Sequence, residues 1–268
     1  MNIAILDMYN NVANEGMRCI LHAIQTVETD DGVPLRYTIF NVRAANELPD
    51  LSFDAYISTG GPGIPLPLGE VWEKPYFDLV DLIFAHNHRS KSKKHLFLIC
   101  HSFQLVTAHL HLATISKRKS TSFGIFPIHR TREGMNEPLF AALAEPFYAV
   151  DSRDYQLTGP RINEFKATGA QLLCLEKIRP HINLERAVMA IRFTDEIVGT
   201  QFHPEADDEG MLRYFLQEEK RTQIIENHGQ AKYDEMVAYL QDPTKIALTE
   251  SVILPGFLRQ ALRELVLA

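Results

Sequence analysis

The sequence predicts an α/β protein with three layers. We expect an open, mostly parallel sheet with helices on both faces, antiparallel additions and a helical C-terminal extension. Short apolar runs alternate with helical patterns over the first hundred residues, which indicates parallel strands joined by crossover helices. Short apolar runs separated by turns then dominate residues 122–201, and helical patterns follow Glu205.

The parallel part is predicted from apolar runs that are short and continuous, as in strands buried on both faces. In chain order, we predict strands at residues 2–7, 35–42, 54–58 and 95–100, and helices at 14–27, 76–86 and 102–111. The first of these helices places Met17, Ile20, Leu21, Ile24 and Val27 three and four residues apart, which is the spacing of one apolar helix face.

The middle of the chain predicts antiparallel strands and hairpins. Its apolar runs are FGIFPI, FYAV, QLLCL, AVMAIRF and IVGTQF, and Asp195-Glu196 is a plausible connection between the last two. Helical patterns follow at 209–228, 233–241 and 255–265. We therefore predict one domain over 1–207, with 208–268 as a helical extension packed on it.

Composition excludes several classes of protein. The chain has 268 residues, 46% of them apolar, and a net charge of −7, which argues against a broad nucleic-acid surface. Three cysteines without zinc-ligand spacing argue against disulfides and metal, and fit a reducing cytoplasm. Apolar runs are too short to span a membrane. The basic stretch 117–119 is predicted to lie in a solvated loop.

Cys100 is the candidate nucleophile because it ends an apolar strand and precedes a helical pattern. Ligands of open α/β sheets bind at the carboxyl ends of the strands. The first N–H groups of the following helix would favour the thiolate form of this residue. The alternative is a buried, inert cysteine, which is the preferred interpretation for Cys19 and Cys174.

His203 and Glu205 form the second candidate group. In an extended backbone, residues two apart point to the same side, and Pro204 favours an extended backbone at His203. The glutamate could then orient the imidazole, leaving the other ring nitrogen for a thiolate. Alone, such a pair is a weak signal, since surface strands often carry both residues.

The glycine-rich stretch Ser58-Thr59-Gly60-Gly61-Pro62-Gly63 follows the third strand. Glycines let the backbone approach a substrate closely, so Gly60 is a candidate substrate contact. Gly61 is a candidate oxyanion donor, with the N–H of His101 as the second. An ordinary strand-to-loop turn is the alternative. A phosphate loop is disfavoured because no Gly-Lys-Ser/Thr follows.

Together, STGGPG at 58–63, LICHSFQ at 98–104 and QFHPE at 201–205 resemble the class I glutamine amidotransferases, especially the stand-alone, GMP-synthetase-like branch. The resemblance covers about residues 1–215 and implies a flavodoxin-like fold. It implies that Cys100 is the nucleophile, His203 the general base and acid, and Glu205 its orienting carboxylate. It also implies that Gln104 helps to hold the substrate, which would be glutamine, hydrolysed through a γ-glutamyl thioester without a cofactor.

The sequence departs from the family's pattern in three places. Leu98 and Ser102 replace the glycines that flank the nucleophile, which predicts a crowded turn at Leu98. Asp151-Ser152-Arg153-Asp154 replaces a Ser-His-x-Asp stretch, and Arg153 is predicted either to bind a substrate carboxylate or to be a surface arginine. The ATP-pyrophosphatase motif is missing, so any synthetase partner would be a separate chain.

Three functions remain open on the sequence. The first is an amidotransferase or glutaminase. The second is a Cys-His hydrolase of another γ-glutamyl amide or a peptide, because Cys100-His101 resembles the elbow of PfpI-like proteases. The third is a non-catalytic binding protein that retains the fold. The apolar faces of the C-terminal helices either pack on the domain or form an interface with a synthetase subunit or a second copy.

Overall fold

The computed structural model describes residues 1–181, 183–242 and 244–267. Within these residues, nine strands form a single sheet. They are β1 (Asn2–Asp7), β2 (Arg36–Asn41), β3 (Ala55–Ser58), β4 (His95–Ile99), β5 (Thr114–Arg130), β6 (Phe147–Thr158), β7 (Gln171–Leu175), β8 (Val188–Arg192) and β9 (Ile197–Thr200). The helices are α1 (Gly16–Asp31), α2 (Val42–Ala45), α3 (Glu73–Arg89), α4 (His101–His109), α5 (Arg132–Met135), α6 (Ile162–Thr168), α7 (Asp208–Leu216), α8 (Glu218–His228), α9 (Gln230–Leu240) and α10 (Ile246–Leu267), with a 3-10 turn at Pro138–Phe140.

The parallel half of the sheet has the strand order β2-β1-β3-β4-β9. This is the flavodoxin-like order, with β9 in the fifth place although it comes late in the chain. The predicted mostly parallel fold is therefore confirmed. Because β3, β4 and β9 are parallel neighbours, their carboxyl ends lie side by side at one edge, where the three candidate motifs begin.

The antiparallel half continues the sheet from β9 through β8 and β7 to β5 and β6. A hairpin joins β8 to β9, with Ala190 opposite Thr200, which confirms the connection predicted at Asp195-Glu196. β5 and β6 form a long ribbon that runs from the pair Thr114–Thr158 to the pair Ile128–Phe147.

The basic stretch 117–119 lies within β5, so the prediction of a loop is wrong. The stretch is not solvated throughout, because the side chain of Arg118 is only 8% exposed. It donates a hydrogen bond of 2.6 Å to Gln156 and lies 3.2 Å from Glu176. These partners offset the cost of burying the guanidinium, and a charge pattern alone does not reveal them.

Two apolar clusters cover the two faces of the parallel strands. Alternate residues of β1 point to opposite sides, so Ile3 and Ile5 pack with α1 and α10, whereas Ala4 and Leu6 pack with α3 and α4. Phe257 of α10 contacts the β4 ring of Phe97 edge to face, at 5.2 Å between centroids. The last helix of the chain therefore contributes to the main core.

A third cluster joins α7, α8 and α9 to the ribbon, with Ile125, Val150, Phe215 and Met236 among its buried residues. The helix predicted over 209–228 is wrong as a single element. The backbone is extended at Gln217, with φ −62° and ψ 128°, and this residue separates α7 from α8. None of the helices in the described part of the chain combines the length and hydropathy needed to cross a bilayer.

The helix predicted to begin at Pro255 begins nine residues earlier, at Ile246, so its predicted start is wrong. Proline favours the first turn of a helix but is costly in the interior, because it lacks an N–H and crowds the preceding turn. Here Ile253, Leu254 and Phe257 are all fully buried against the sheet. The burial of these side chains outweighs the preference of Pro255 for the first turn of a helix.

Candidate active site

Cys100 occupies a sharp turn between β4 and α4, as predicted. Its φ of +49° and ψ of −98° lie outside the usual regions for a residue with a side chain. The backbone is held on both sides, because its N–H donates to Thr200 at 2.8 Å and its carbonyl accepts from the Gln104 N–H at 3.0 Å. Such a strained strand-to-helix turn is the geometry of a nucleophile elbow.

Ser102 ties this elbow to the neighbouring strand. Its hydroxyl donates to the carbonyl of Ser58 at 2.8 Å and accepts from the N–H of Ile99 at 3.0 Å. The side chain is fully buried. The serine that replaces a family glycine therefore connects the nucleophile's turn to β3, which carries the glycine-rich stretch.

Leu98 is accommodated by a glycine on the next strand. Leu98 of β4 is paired with Gly199 of β9. A Cβ added at Gly199 would lie 3.0 Å from the Leu98 Cβ and 2.6 Å from the Phe103 ring. The predicted crowding at Leu98 is thus relieved. The space for the Leu98 side chain comes from the absence of a side chain at Gly199 on β9, and not from a glycine in the elbow.

His203 and Glu205 form the predicted pair. The imidazole Nδ1 lies 2.8 Å from Oε1 of Glu205, whose side chain is only 1% exposed. The position of His203 is fixed by its N–H, which donates to Val150 of β6 at 2.8 Å. The preceding Phe202 is fully buried and packs on Phe147 at 5.5 Å.

The charge of His203 is set by its two neighbours. Burial of the ring works against the protonated form. The negative charges of Glu205 and then of Cys100, with hydrogen bonds to both, outweigh burial and raise the pKa of His203 well above its ordinary value of 6.5. Since Nδ1 engages Glu205, Nε2 is the nitrogen left for Cys100. A cysteine beside an imidazole that a carboxylate orients is the arrangement expected of the predicted triad.

The two predicted oxyanion donors lie beside Cys100. Gly61 and His101 line the same cavity as Cys100 and His203, with a volume of about 360 Å³. Among the described residues, none accepts a hydrogen bond from the backbone N–H of Gly61 or of His101. Both groups therefore remain available to a ligand in this cavity.

Gly61 has no room for a side chain. A Cβ at this position would lie 2.3 Å from the carbonyl oxygen of Met8. Arg43 secures the turn, because its Nη1 donates to the carbonyls of Met8 at 3.2 Å and Pro62 at 2.6 Å. The close contact with the end of β1 explains why this position requires glycine.

Gly60 lies against the imidazole ring of His203. A Cβ at Gly60 would be 2.9 Å from Cε1 of His203 and 3.6 Å from the Cβ of Cys100. Gly60 is absent from the residues that line the cavity, whereas Gly61 is among them. Its position therefore favours packing against the imidazole over direct contact with a substrate.

Gln104 is connected to the nucleophile through a residue that the sequence analysis missed. Its amide nitrogen donates to the carbonyl of Tyr155 at 2.9 Å and to Oε1 of Gln201 at 2.6 Å. The Gln201 amide in turn lies 3.6 Å from Sγ of Cys100. Gln201 begins the QFHPE stretch, so its position in that motif was the available signal.

Arg153 is not a surface arginine, because its side chain is only 2% exposed. Nε lies 2.9 Å from both oxygens of Asp151, and Nη2 lies 3.5 Å from Glu176. Nη1 is buried without a hydrogen-bond partner among the described residues, and Arg153 lines the cavity. Binding of a substrate carboxylate by this residue therefore stays a prediction.

The His101 side chain is not a second base. It is buried, and burial together with the positive charge of Arg43 lowers its pKa to about 3. The imidazole is therefore neutral at physiological pH. The predicted role of His101 therefore rests on its backbone N–H and not on its side chain.

Comparison with solved structures identifies the fold. A glutamine amidotransferase from Thermotoga maritima superposes with a TM-score of 0.66 at 14% identity, over 100% of this chain and 99% of that one. A glutamine amido transferase from Methylobacillus flagellatus gives 0.65 at 12% identity, over 98% and 94%. The glutaminase domain of a Trypanosoma brucei CTPS with bound acivicin gives 0.58 at 13% identity, over 76% and 86%.

No family model and no curated protein matches the sequence. At these levels of identity the structural likeness establishes the fold alone. The chain has the class I glutamine amidotransferase-like fold, as the three sequence motifs predicted.

Proposed function

We propose that the protein hydrolyses the side-chain amide of glutamine, or of a related γ-glutamyl compound, through a thioester on Cys100. The observation that carries this proposal is the His203–Glu205 contact of 2.8 Å beside a cysteine held in a strained elbow. The comparisons support it at the level of the fold.

In the proposed reaction, the Cys100 thiolate attacks the amide carbon, and the N–H groups of Gly61 and His101 stabilise the oxyanion. His203, as the imidazolium, donates a proton to the leaving nitrogen, and the carbon–nitrogen bond breaks. A water molecule that His203 deprotonates then attacks the thioester carbonyl. This step releases the carboxylate and returns the thiol, while Glu205 holds the ring in place.

The first prediction is that purified protein releases glutamate from glutamine and that Cys100→Ala abolishes the release. The loss should be on the order of 10⁴-fold or more, as for removal of a triad nucleophile. Cys174→Ala is the matched control, because Cys174 is buried in the antiparallel half of the sheet and does not line the cavity beside Cys100. We expect this control to retain activity.

Labelling by 6-diazo-5-oxo-norleucine separates the competing functions. Modification of Cys100 that glutamine blocks would support a glutaminase. Modification that glutamine does not affect would favour a hydrolase of peptides or other amides. An unmodified Cys100 in folded protein, together with no glutamate release, would contradict the proposal and favour a binding protein.

The loop after the oxyanion turn is where we expect a partner to bind. Ile64, Leu66, Leu68 and Val71 are between 40% and 79% exposed. Clustered exposed apolar residues beside a functional cavity are typical of interaction surfaces. We propose a separate synthetase subunit or a second copy of the chain as the occupant of this loop surface, whereas the sequence predicted such an interface on the C-terminal helices.

A further inference from the structure

Three polar groups lie close to the sulfur of Cys100. His203 forms a hydrogen bond with it. The amide nitrogen of Gln201 is 3.6 Å from Sγ, and the carbonyl oxygen of Ser152 is 3.7 Å from it. The carbonyl only accepts hydrogen bonds, so it stabilises the protonated thiol and works against the thiolate. A group that donates to Sγ works in the opposite direction, so the orientation of the Gln201 amide matters.

The Gln201 amide has two different ends. A glutamine side chain carries two donors on its nitrogen and an acceptor on its oxygen. With the nitrogen towards Cys100, the amide stabilises a negative charge on Sγ. With the oxygen towards Cys100, it would repel that charge. The two ends have nearly the same shape, so the surrounding hydrogen bonds determine which of them faces the sulfur.

A backbone carbonyl fixes the orientation. The amide nitrogen of Gln104 is 2.9 Å from the carbonyl oxygen of Tyr155 and 2.6 Å from Oε1 of Gln201. Because the carbonyl of Tyr155 can only accept, the nitrogen end of Gln104 must face it. The second hydrogen of that nitrogen then requires an acceptor, and Oε1 of Gln201 supplies it. The nitrogen end of Gln201 is therefore the end that faces Cys100.

Both glutamines are shielded from water, because Gln201 is 0% exposed and Gln104 is 2% exposed. Hydrogen bonds to a charged group are stronger in such surroundings, and a buried amide without partners is costly. Gln104 lines the cavity beside Cys100, whereas Gln201 does not. Gln201 thus reaches the sulfur from the protein interior and lies outside the surface that a substrate in this cavity would contact.

From these contacts, and resting on the proposed function, we propose that Gln201 is a further catalytic residue that donates a hydrogen bond to Sγ of Cys100. The bond stabilises the negative charge on sulfur before it attacks the amide carbon. The same charge returns when water cleaves the thioester and the sulfur leaves, so the donor acts in both steps. Gln201 transfers no proton, because the thiol proton passes to His203, which delivers it to the leaving nitrogen. Gln104 is a positioning residue in this respect, since it sets the direction of the Gln201 amide.

Gln201→Met tests the proposal, because methionine keeps the length of the side chain and removes the donor. The measurement is the rate at which iodoacetamide alkylates Cys100, followed by mass spectrometry of the peptide that contains it. We expect the variant to react about tenfold more slowly near pH 7, which is the effect of losing one hydrogen bond to a charged group. At about pH 10 the difference should disappear, because a thiol with an ordinary pKa of ~8.5 ionises there without help.

The kinetics of glutamine hydrolysis give a second measurement. Gln201→Met should lower kcat by about tenfold near pH 7 and leave KM nearly unchanged, because Gln201 does not line the cavity. A residue that only supports the cavity wall would instead raise KM when it is replaced.

Asn87→Leu is the matched control, because it also replaces a buried amide with an apolar side chain of similar size. Asn87 forms two hydrogen bonds of 2.8 Å with the backbone of Lys94 and does not line the cavity beside Cys100. We expect this control to lower the free energy of unfolding without changing the rate of alkylation.

Gln104→Met tests the origin of the orientation, because it frees the Gln201 amide to turn its oxygen towards the sulfur. This variant should also slow alkylation near pH 7. Combining it with Gln201→Met should add little to the effect of Gln201→Met alone, since both changes remove the same donor. If Gln201→Met does not fold, Gln104→Met provides the test by itself, and a wild-type rate of alkylation in that variant would contradict the proposal.

The outcomes separate this inference from the proposed function, because alkylation requires no turnover. Equal rates of alkylation in the wild type and Gln201→Met near pH 7 would overturn the inference, even if glutamine is hydrolysed. A deficit that persists at about pH 10, or that Asn87→Leu shares, would overturn it too, since either result indicates a distorted elbow and not a lost donor. If no amide is hydrolysed but Gln201→Met shows the expected pH-dependent deficit, the hydrogen bond from Gln201 to the sulfur stands and the glutaminase proposal falls.

Discussion

The pKa of the partly buried His203 is governed by its immediate neighbours. Burial disfavours the imidazolium, but the carboxylate of Glu205 at 2.8 Å, with a further contribution from Cys100, outweighs it and raises the pKa of His203 well above its ordinary value. Because the pKa of His203 is raised in the folded state, its protonation stabilises the fold fully below about pH 6.5. This contribution is lost as the pH rises through the higher, folded-state pKa.

Glu205→Gln should therefore lower the pKa of His203. The variant removes the main group that raises this pKa but keeps the side-chain shape. The decrease in the free energy of unfolding should be larger at pH 6 than at pH 9, and kcat should fall by about 10⁴-fold, as when a triad carboxylate becomes an amide. NMR titration of the His203 ring gives the pKa directly. An unchanged pKa would show that Cys100 alone sets the charge.

At the scale of elements, the active site depends on where three parallel strands end. β3 leads into the glycine-rich turn, β4 into Cys100 and β9 into His203. The same strands absorb the departures from the family's pattern, because Gly199 on β9 makes room for Leu98 on β4. A larger side chain in one strand is thus compensated by a smaller residue on the neighbouring strand, and not by a residue close to it in the sequence.

Gly199→Ala should destabilise the protein by about 1–3 kcal/mol, because a Cβ would overlap with Phe103 and Leu98. Combining it with Leu98→Ala should cost less than the sum of the two single changes, since both act on the same space. Urea unfolding measures all three variants. Gly256→Ala, whose Cβ would approach only Leu139 at 3.3 Å, is the control and should be nearly neutral. Strict additivity would argue against compensation.

The compensation also shows what the sequence could predict. Strand ends, the elbow and the pair His203–Glu205 follow from local patterns and chain order. Gly199 faces Leu98 only because β9 pairs with β4, and a single sequence does not record that register. Likewise, Arg153 and Arg118 lie in one internal ion-pair network around Glu176. The sequence predicted a solvated loop for Arg118, and either a substrate contact or a surface position for Arg153. Such long-range partners depend on the tertiary structure.

At the scale of the whole molecule, the C-terminal helices belong to two different packing units. Met236 and Phe215 pack with the β5–β6 ribbon. α10 crosses back to the parallel strands, where Arg259 pairs with Asp30 and Asp31 of α1. The extension predicted over 208–268 therefore packs in two places, with α7 to α9 on the β5–β6 ribbon and α10 on the parallel strands. The apolar pattern of its helices does not reveal this division.

Phe257→Ala tests whether α10 is integral to the fold. Phe257 is fully buried between α10 and the sheet and contacts Phe97 and His95. Removing the ring should lower the free energy of unfolding by about 3–5 kcal/mol, because a cavity remains in the main core. Val266→Ala, on the same helix but 84% exposed, should change it by less than about 0.5 kcal/mol. Equal effects of the two changes in urea unfolding would mean that α10 covers the sheet without stabilising it.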